Sequence, residues 1–322
     1  MAKDGSCLFK IGYFIYSRTR FGRYFHQNDI RKSKLKLGDG RHSELTQFDY
    51  ESLSILPIPM VLDNYAYLVT DQKNHKSVLI DPGDAEAVQK VLKLKNVEPE
   101  AILVTHKHWD HSGGNSDLKQ LFPHVPIYGS SLDNVPDCSH YISDSDVLTF
   151  GDLQFQTILT PGHTVGHTVF LLDGSRFGVS SHLFSGDCLF LGGCGRMFEA
   201  PPSVMLNSLD ILMKLDNKTL MWPGHEYAMD NLKFAIFLDP NNTELQKKYN
   251  WVMERRENYL CTCPSTLEEE KSYNPFLRTS DKCILSAIGM IDTGDFHQPS
   301  NEERARALLL IRKCKDEFKY KL

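Results

Sequence analysis

Thr105-His106-Lys107-His108-Trp109-Asp110-His111 places three histidines and one aspartate within six consecutive positions, 106 to 111. They follow the apolar run Ala101-Ile102-Leu103-Val104, which is short, partly β-branched and bounded by polar residues, the pattern of a buried strand that delivers its successors into a cleft. In extended chain, side chains at i and i+2 face the same way, so His106 and His108 are placed to grip one ion. Asp110 and His111 come just after, where Ser112-Gly113-Gly114 lets the chain bend. They are expected to address a second ion a few ångströms away. Four clustered polar groups would be costly to bury without a cation.

Three further segments end predicted strands in a potential ligand. Thr160-Pro161-Gly162-His163 follows a strand over 153–159; Phe184-Ser185-Gly186-Asp187 ends in an aspartate; Leu220-Met221-Trp222-Pro223-Gly224-His225 ends in a histidine. Taken singly, His163 and His225 read as core or turn histidines and Asp187 as an ordinary strand-end residue. Their company with the cluster makes them ligand candidates. Imidazole with carboxylate is the donor set of zinc, iron or manganese rather than of calcium, which prefers oxygen alone.

This ordered set resembles the metallo-β-lactamase superfamily and, within it, glyoxalase II, the hydroxyacylglutathione hydrolases. The resemblance covers residues 53 to 322. It implies an α/β fold, an αββα sandwich followed by a helical substrate domain. It also implies two divalent metal ions, zinc first and iron or manganese as alternatives. One would be held by His106, His108 and His163, the other by Asp110, His111 and His225, with Asp187 bridging them beside a water or hydroxide. Asp110 and Asp187 are then the catalytic carboxylates. The implied reaction is hydrolysis of S-lactoylglutathione, or a related α-hydroxythioester, to acid and thiol, as in methylglyoxal detoxification. Thioester suits such a site, because a thiolate of pKa near about 8.5 leaves without a dedicated acid.

On the substrate side the resemblance implies Tyr227 as a glutathione contact and Arg278 with Lys282 as the basic pair for the glycine carboxylate. With Pro275 read as the first helical residue, Arg278 and Lys282 at i and i+4 would share one helix face. Where the family usually has lysine and tyrosine, this chain carries Arg196 and Phe198. Arginine keeps the charge with different geometry, and phenylalanine forfeits a hydrogen bond of about 1 kcal/mol. A different acyl or thiol half is therefore expected to be preferred.

With 322 residues, 41% hydrophobic and 24% charged, the chain can bury a sizeable core. Three regions are expected: a basic, aromatic segment at 1–50, a catalytic domain at 51–227 and a helical substrate-binding domain at 228–322. Ser265, Thr266 and Glu269 suggest a capped helix start, as do Ser300 and Glu303, and 292–299 reads as a mobile insertion. The eight cysteines are scattered and read as reduced thiols of an intracellular protein, with Cys188 and Cys194 packing the core. The formal charge is −5, so the catalytic part does not suit a nucleic acid. The N-terminal segment is the exception, with Arg18, Arg20, Arg23, Arg31, Lys32, Lys34 and Lys36. Its apolar run is too short to span a bilayer, leaving interfacial membrane attachment, a mitochondrial presequence or a solvated tail. The rival functions are a membrane-anchored scaffold with vestigial hydrolase activity and a persulfide dioxygenase-like iron enzyme. The stretch 274–282 argues against the latter.

Overall fold

The computed structural model describes residues 7–38, 41–291 and 297–318. It divides into two compact units, Met1–Ile142 and Ser143–Leu322. Of the insertion at 292–299, residues 292–296 lie outside the described residues.

The first unit runs α1 (Cys7–Arg18), α2 (Arg20–Leu37), β1 (Phe48–Tyr50), β2 (Leu53–Met60), β3 (Asn64–Asp71), β4 (Lys76–Ile80), α3 (Ala85–Lys95), β5 (Ala101–Leu103), α4 (Trp109–Ser112), α5 (Asn115–Leu121), β6 (Ile127–Ser130) and β7 (His140–Ile142). Its sheet has the order β1 to β7 in sequence. The strands from β1 to β4 pair antiparallel and those from β4 to β7 parallel. Parallel neighbours need crossovers, which α3 and the α4–α5 pair provide for β4–β5 and β5–β6, while the loop 131–139 joins β6 to β7. Pro57 and Pro59 sit in β2 because β1 covers only Leu53 to Ile55. Beyond that point β2 has an open edge, where a missing N–H costs no ladder bond. Leu56, Leu68, Leu79, Val88, Ile102, Leu118 and Ile127 form the core, each such side chain contributing roughly 2 kcal/mol by burial. Asp84 caps α3, accepting from the amides of Glu86 and Ala87. Polar residues then collect where parallel strands end, Asp81 after β4 and His106 after β5, the edge at which open α/β sheets bind ligands.

The N-terminal segment is a helical hairpin docked on this unit. Gly22, His26, Ile30 and Ser33 repeat at helical spacing, and all but the partly buried Ile30 are buried. His26 Nε2 bonds to Gly83 O at 2.7 Å, Ser33 Oγ donates to Val61 O, and Trp109 Nε1 donates to Tyr16 O at 2.8 Å. Only glycine fits at position 22, since a Cβ there would stand 1.7 Å from Tyr16 O and 2.5 Å from Trp109 Nε1. Lys34 and Lys90 pair with Glu86 and hold its carboxyl down at about 2. Among the described residues no helix is long and apolar enough to cross a membrane.

The second unit runs β8 (Val147–Phe150), β9 (Leu153–Leu159), β10 (Thr168–Leu172), β11 (His182–Gly186), β12 (Leu189–Phe190), β13 (Gly193–Cys194), α6 (Pro202–Leu212), β14 (Leu220–Pro223), α7 (Ala228–Leu238), α8 (Thr243–Glu257), β15 (Ser265–Thr266), α9 (Leu267–Tyr273), α10 (Lys282–Ala287) and α11 (Asn301–Phe318). Its main sheet has the order β15-β14-β11-β10-β9-β8. β11 and β14 are parallel neighbours with a register shift between Phe184 and Gly186. Such a bulge bends a strand and re-aims the residue after it, here Asp187. Because Gly186 pairs with Pro223, the residues just past the two strands, Asp187 and His225, emerge side by side. Phe234, Leu245, Val252, Phe276, Ile284, Leu308 and Ile311 anchor the helices. The expected caps are present: Thr266 and Glu269 form a capping box, and the Glu303 amide donates to Ser300 Oγ at 3.3 Å.

Candidate functional site

In the first unit, β5 ends at Leu103, and the chain bends through residues 105–107 before α4 begins at Trp109. Lys107 turns to a buried ion pair with Asp133 at 3.4 Å, while His106 and His108 turn the other way. His106 Nε2 and His108 Nδ1 face each other at 2.9 Å. Their remaining nitrogens are engaged, His106 Nδ1 with Thr105 Oγ1 at 3.0 Å and His108 Nε2 with the Tyr13 hydroxyl at 2.9 Å. His111 Nδ1 bonds to Asp81 Oδ2 at 2.9 Å, which directs its Nε2 to Asp110 Oδ2 at 3.8 Å. Asn64 Nδ2 donates to that same Asp110 oxygen at 3.1 Å. Asp81 is fixed in turn by the Thr105 amide and hydroxyl, both at 2.7 Å.

In the second unit, the Asp187 carboxylate lies between two histidines, with Oδ2 3.3 Å from His163 Nε2 and Oδ1 3.3 Å from His225 Nε2. His163 Nδ1 donates to Arg196 O at 2.9 Å. The Asp187 amide donates to His167 Nε2 at 3.1 Å. A side chain at Gly195 would stand 1.8 Å from Asp187 O and 3.1 Å from His163 Nδ1, so the Cys-Gly-Arg turn needs its glycine.

The donor set fits a transition-type divalent ion. Imidazoles whose outward nitrogens are held by hydroxyl, carboxylate or carbonyl oxygen, and whose inward nitrogens converge beside carboxylates, are how proteins orient histidine ligands. His182 shows the opposite case. It is buried under the indole of Trp222, which bonds to its Nδ1 at 3.1 Å, and burial lowers its pKa to about 4. It is a core histidine. Cys188 and Cys194 are buried and their thiols are pushed upward by that burial, as core packing requires.

Residues 60–225 match the model of the metallo-β-lactamase superfamily, and residues 226–318 match that of the hydroxyacylglutathione hydrolase C-terminus. A cytoplasmic hydroxyacylglutathione hydrolase of Arabidopsis thaliana is 39% identical over 239 residues, 74% of this chain and 92% of that protein. A hydroxyacylglutathione hydrolase of Crocosphaera subtropica is 36% identical over 268 residues, 83% of this chain and all of that protein. The chain belongs to the hydroxyacylglutathione hydrolase family. Among solved structures, a metallo-β-lactamase from Staphylococcus aureus shares the fold with a TM-score of 0.53 at 22% identity, covering 82% of this chain and 70% of that one. ETHE1 from Myxococcus xanthus does so with a TM-score of 0.52 at 23% identity, covering 84% and 99%. The fold of this hydroxyacylglutathione hydrolase family member is α/β, metallo-β-lactamase type with a helical C-terminal part. That fold implies a binuclear divalent-metal site.

Within the second unit, the substrate-side candidates of this family member fall into two groups. Phe198 lies with its ring centroid 5.1 Å from that of His163, and Tyr227 stacks on His225 at 4.6 Å and 7°. The Arg196 side chain reaches Asp316 at 3.3 Å, while its carbonyl holds His163. Arg278 and Lys282 stand apart from the expectation of a shared helix face. α9 ends at Tyr273 and α10 begins only at Lys282, because the Asn274 side chain accepts the Phe276 amide and Asp281 caps the next helix. Arg278 is drawn into ion pairs with Asp239 and Asp281, both at 2.6 Å, and Lys282 is exposed.

Four residues around the candidate ligands are missed by sequence reasoning: Asp81, Asn64, His167 and Tyr13. Asp81 carries a usable signal, since Asp81-Pro82-Gly83 follows an apolar strand just as the recognised ligand segments do. His167, four residues after His163, and Tyr13, far from every motif, carry none.

Proposed function

We propose that this chain is a binuclear metal-dependent thioester hydrolase acting on a glutathione thioester, S-lactoylglutathione or a related α-hydroxythioester. The observation that carries the reading is the convergence of His106 Nε2 and His108 Nδ1 at 2.9 Å in a chain of this family. The family's pattern assigns His106, His108 and His163 to one ion, Asp110, His111 and His225 to the other, and Asp187 to both. Zinc suits the histidine-rich donors, with iron or manganese the alternatives. Two bound divalent ions would lower the pKa of water toward roughly 7 and polarise the thioester carbonyl. Asp81 and Asn64 hold His111 and Asp110 in place, so no reorganisation is needed as charge develops. Tyr227 and Phe198 present flat apolar faces beside the ligands His225 and His163. Arg196 and Lys282 would supply positive charge for the carboxylates of glutathione, and Arg278 would do so in exchange for its pairs with Asp239 and Asp281. The scaffold and iron-dioxygenase readings are weaker, because the hydroxyacylglutathione hydrolase C-terminus spans 226–318. The purified full chain is expected to carry two metal ions and to cleave lactoylglutathione or another glutathione thioester. Mass-spectrometric metal counting beside a thioester panel tests this; a fully active preparation with one ion, or a two-metal protein inert on the whole panel, would refute it.

A second reading concerns place in the cell. An intracellular protein attached to an anionic lipid interface is favoured by the outer face of the docked hairpin, where Ile11, Phe14, Phe21, Tyr24 and Phe25 are exposed beside exposed Arg31 and Lys36. The buried His26 and Ser33 make a removable mitochondrial presequence a poorer account of the same segment. Each basic residue near anionic lipid contributes about 1 kcal/mol and is screened by salt. Full-length protein should therefore float with phosphatidylserine vesicles at low salt, and Phe21→Ser with Phe25→Ser should release it. Protein that stays in the supernatant at low salt rules attachment out.

A further inference from the structure

The metal ligands of the first unit are each steadied from behind, and one of the supports comes from outside the region that the family models match. Thr105 stands behind His106 and Asp81 behind His111, both close to the ligands they serve in the sheet. The support behind His108 is Tyr13 on α1, 95 residues away in sequence. The match to the superfamily model begins at residue 60, so the hairpin that carries Tyr13 is a feature of this chain beyond that match.

We propose that Tyr13 is a positioning residue of the metal centre, fixing the tautomer and ring orientation of His108. The inference rests on the reading of His108 as a metal ligand. Because Nδ1 is the nitrogen that converges with His106 Nε2 at 2.9 Å, it is the one that would hold the ion. The ring proton then belongs on Nε2, and Nε2–H donates to the Tyr13 hydroxyl oxygen. The ring of Tyr13 meets that of His108 edge-on, at 5.7 Å between centroids and 86°, with the hydroxyl 2.9 Å from Nε2. α1 is held there independently of the ligand. The Tyr16 carbonyl accepts from Trp109 Nε1, Gly22 permits the close approach of the two helices to Trp109, and His26 and Ser33 seat α2 through buried hydrogen bonds. Trp109 and His108 are neighbours in the motif itself, so one tryptophan ties the hairpin to the very turn that carries the ligand. The hairpin is thus part of the site's support, and its removal should loosen metal binding while leaving the core of the sheet untouched.

The test is Tyr13→Phe in the full chain, with zinc affinity measured by chelator competition and melting temperature measured with and without EDTA. Outer partners of ligating histidines typically set affinity by 10–100-fold. Tyr13→Phe should therefore weaken zinc binding by at least about 10-fold and shrink the metal-dependent rise in melting temperature, with the EDTA-treated melting temperature unchanged. Tyr13→His, which restores a polar partner, should recover part of the affinity. Ile15→Ala on the exposed face of α1 should alter neither. Zinc affinity within twofold of wild type in Tyr13→Phe overturns the proposal, as does a lowered melting temperature in EDTA with affinity retained, the mark of a merely structural tyrosine. Wild-type protein that binds no zinc overturns it together with the ligand assignment. Normal zinc binding without thioester turnover sinks only the hydrolase reading and leaves the Tyr13 comparison decisive.

Discussion

Asp187→Ala is expected to leave a folded protein that holds fewer than two metal ions and has lost nearly all thioester turnover. The side chain lies just past a bulged strand, with one oxygen toward each of His163 and His225 at 3.3 Å, and it takes no part in the apolar core. On the proposed assignment this carboxylate would serve both ions, so its loss would remove both their Lewis-acid contribution and the activation of water, together several kcal/mol of transition-state stabilisation. At 1.36 kcal/mol per decade this is a fall in kcat of about 10³ or more. Far-ultraviolet circular dichroism and the melting temperature of the metal-free protein should match wild type, because loop-borne ligands are positioned by a scaffold that folds without them. A metal content of two with near-normal kcat would show that Asp187 is not shared. Loss of the fold itself would make the aspartate structural instead.

A physical dividing line separates the legible residues from the hidden ones. His106, His108, Asp110 and His111 are legible because their geometry is local: they lie in the bend after the end of β5 at Leu103 and in the short α4 that follows it. Asp187 and His225 are legible for a related reason, each lying just past a short apolar strand, and the register of Gly186 with Pro223 is what brings them together. The caps at Thr266 and Ser300 are local as well. Contacts that depend on distant chain are hidden. Tyr13 reaches His108 across 95 positions, and His167 meets Asp187 only because β10 turns back beside β11. The N-terminal segment shows its charge and aromatic content in the sequence, but nothing there tells that His26, Ile30 and Ser33 form a docking stripe on one face of a helix. Arg278 is a different kind of miss. Pro275 is a legitimate helix-start signal, but the side-chain bond from Asn274 to the Phe276 amide competes for the same backbone and wins, so the helix begins seven residues later at Lys282.

Arg278→Ala therefore has two expected effects, and they can be separated. The guanidinium is mostly buried, its side chain 14% exposed against 10% for Asp239, and it donates to Asp239 and Asp281 at once. Burial alone would raise the Asp239 carboxyl, but hydrogen bonds from Arg278 and Asn242 outweigh it and hold that group below the usual carboxylate range. Removing the arginine strands a buried carboxylate, a loss of about 3–5 kcal/mol when one partner of a buried pair is deleted. The depressed pKa fixes the sign with pH. The pair's contribution is fully present above the unfolded carboxylate value of about 3.9 and fades as pH falls through the lower folded value. Urea unfolding should accordingly show the deficit of Arg278→Ala at pH 7 and a much smaller one near pH 3, and Asp239→Asn in the same background should recover part of it by removing the stranded charge. The second effect is on the substrate. If Arg278 also receives the glycine carboxylate of glutathione, a remote contact made equally in ground and transition states, KM should rise for glutathione thioesters with little change in kcat. Thioesters of an uncharged thiol should be unaffected. An Arg278→Ala enzyme with the stability deficit but an unchanged KM for every glutathione thioester would assign the arginine wholly to its two aspartates, and recognition of the thiol half would have to lie with Tyr227, Arg196 or Lys282 instead.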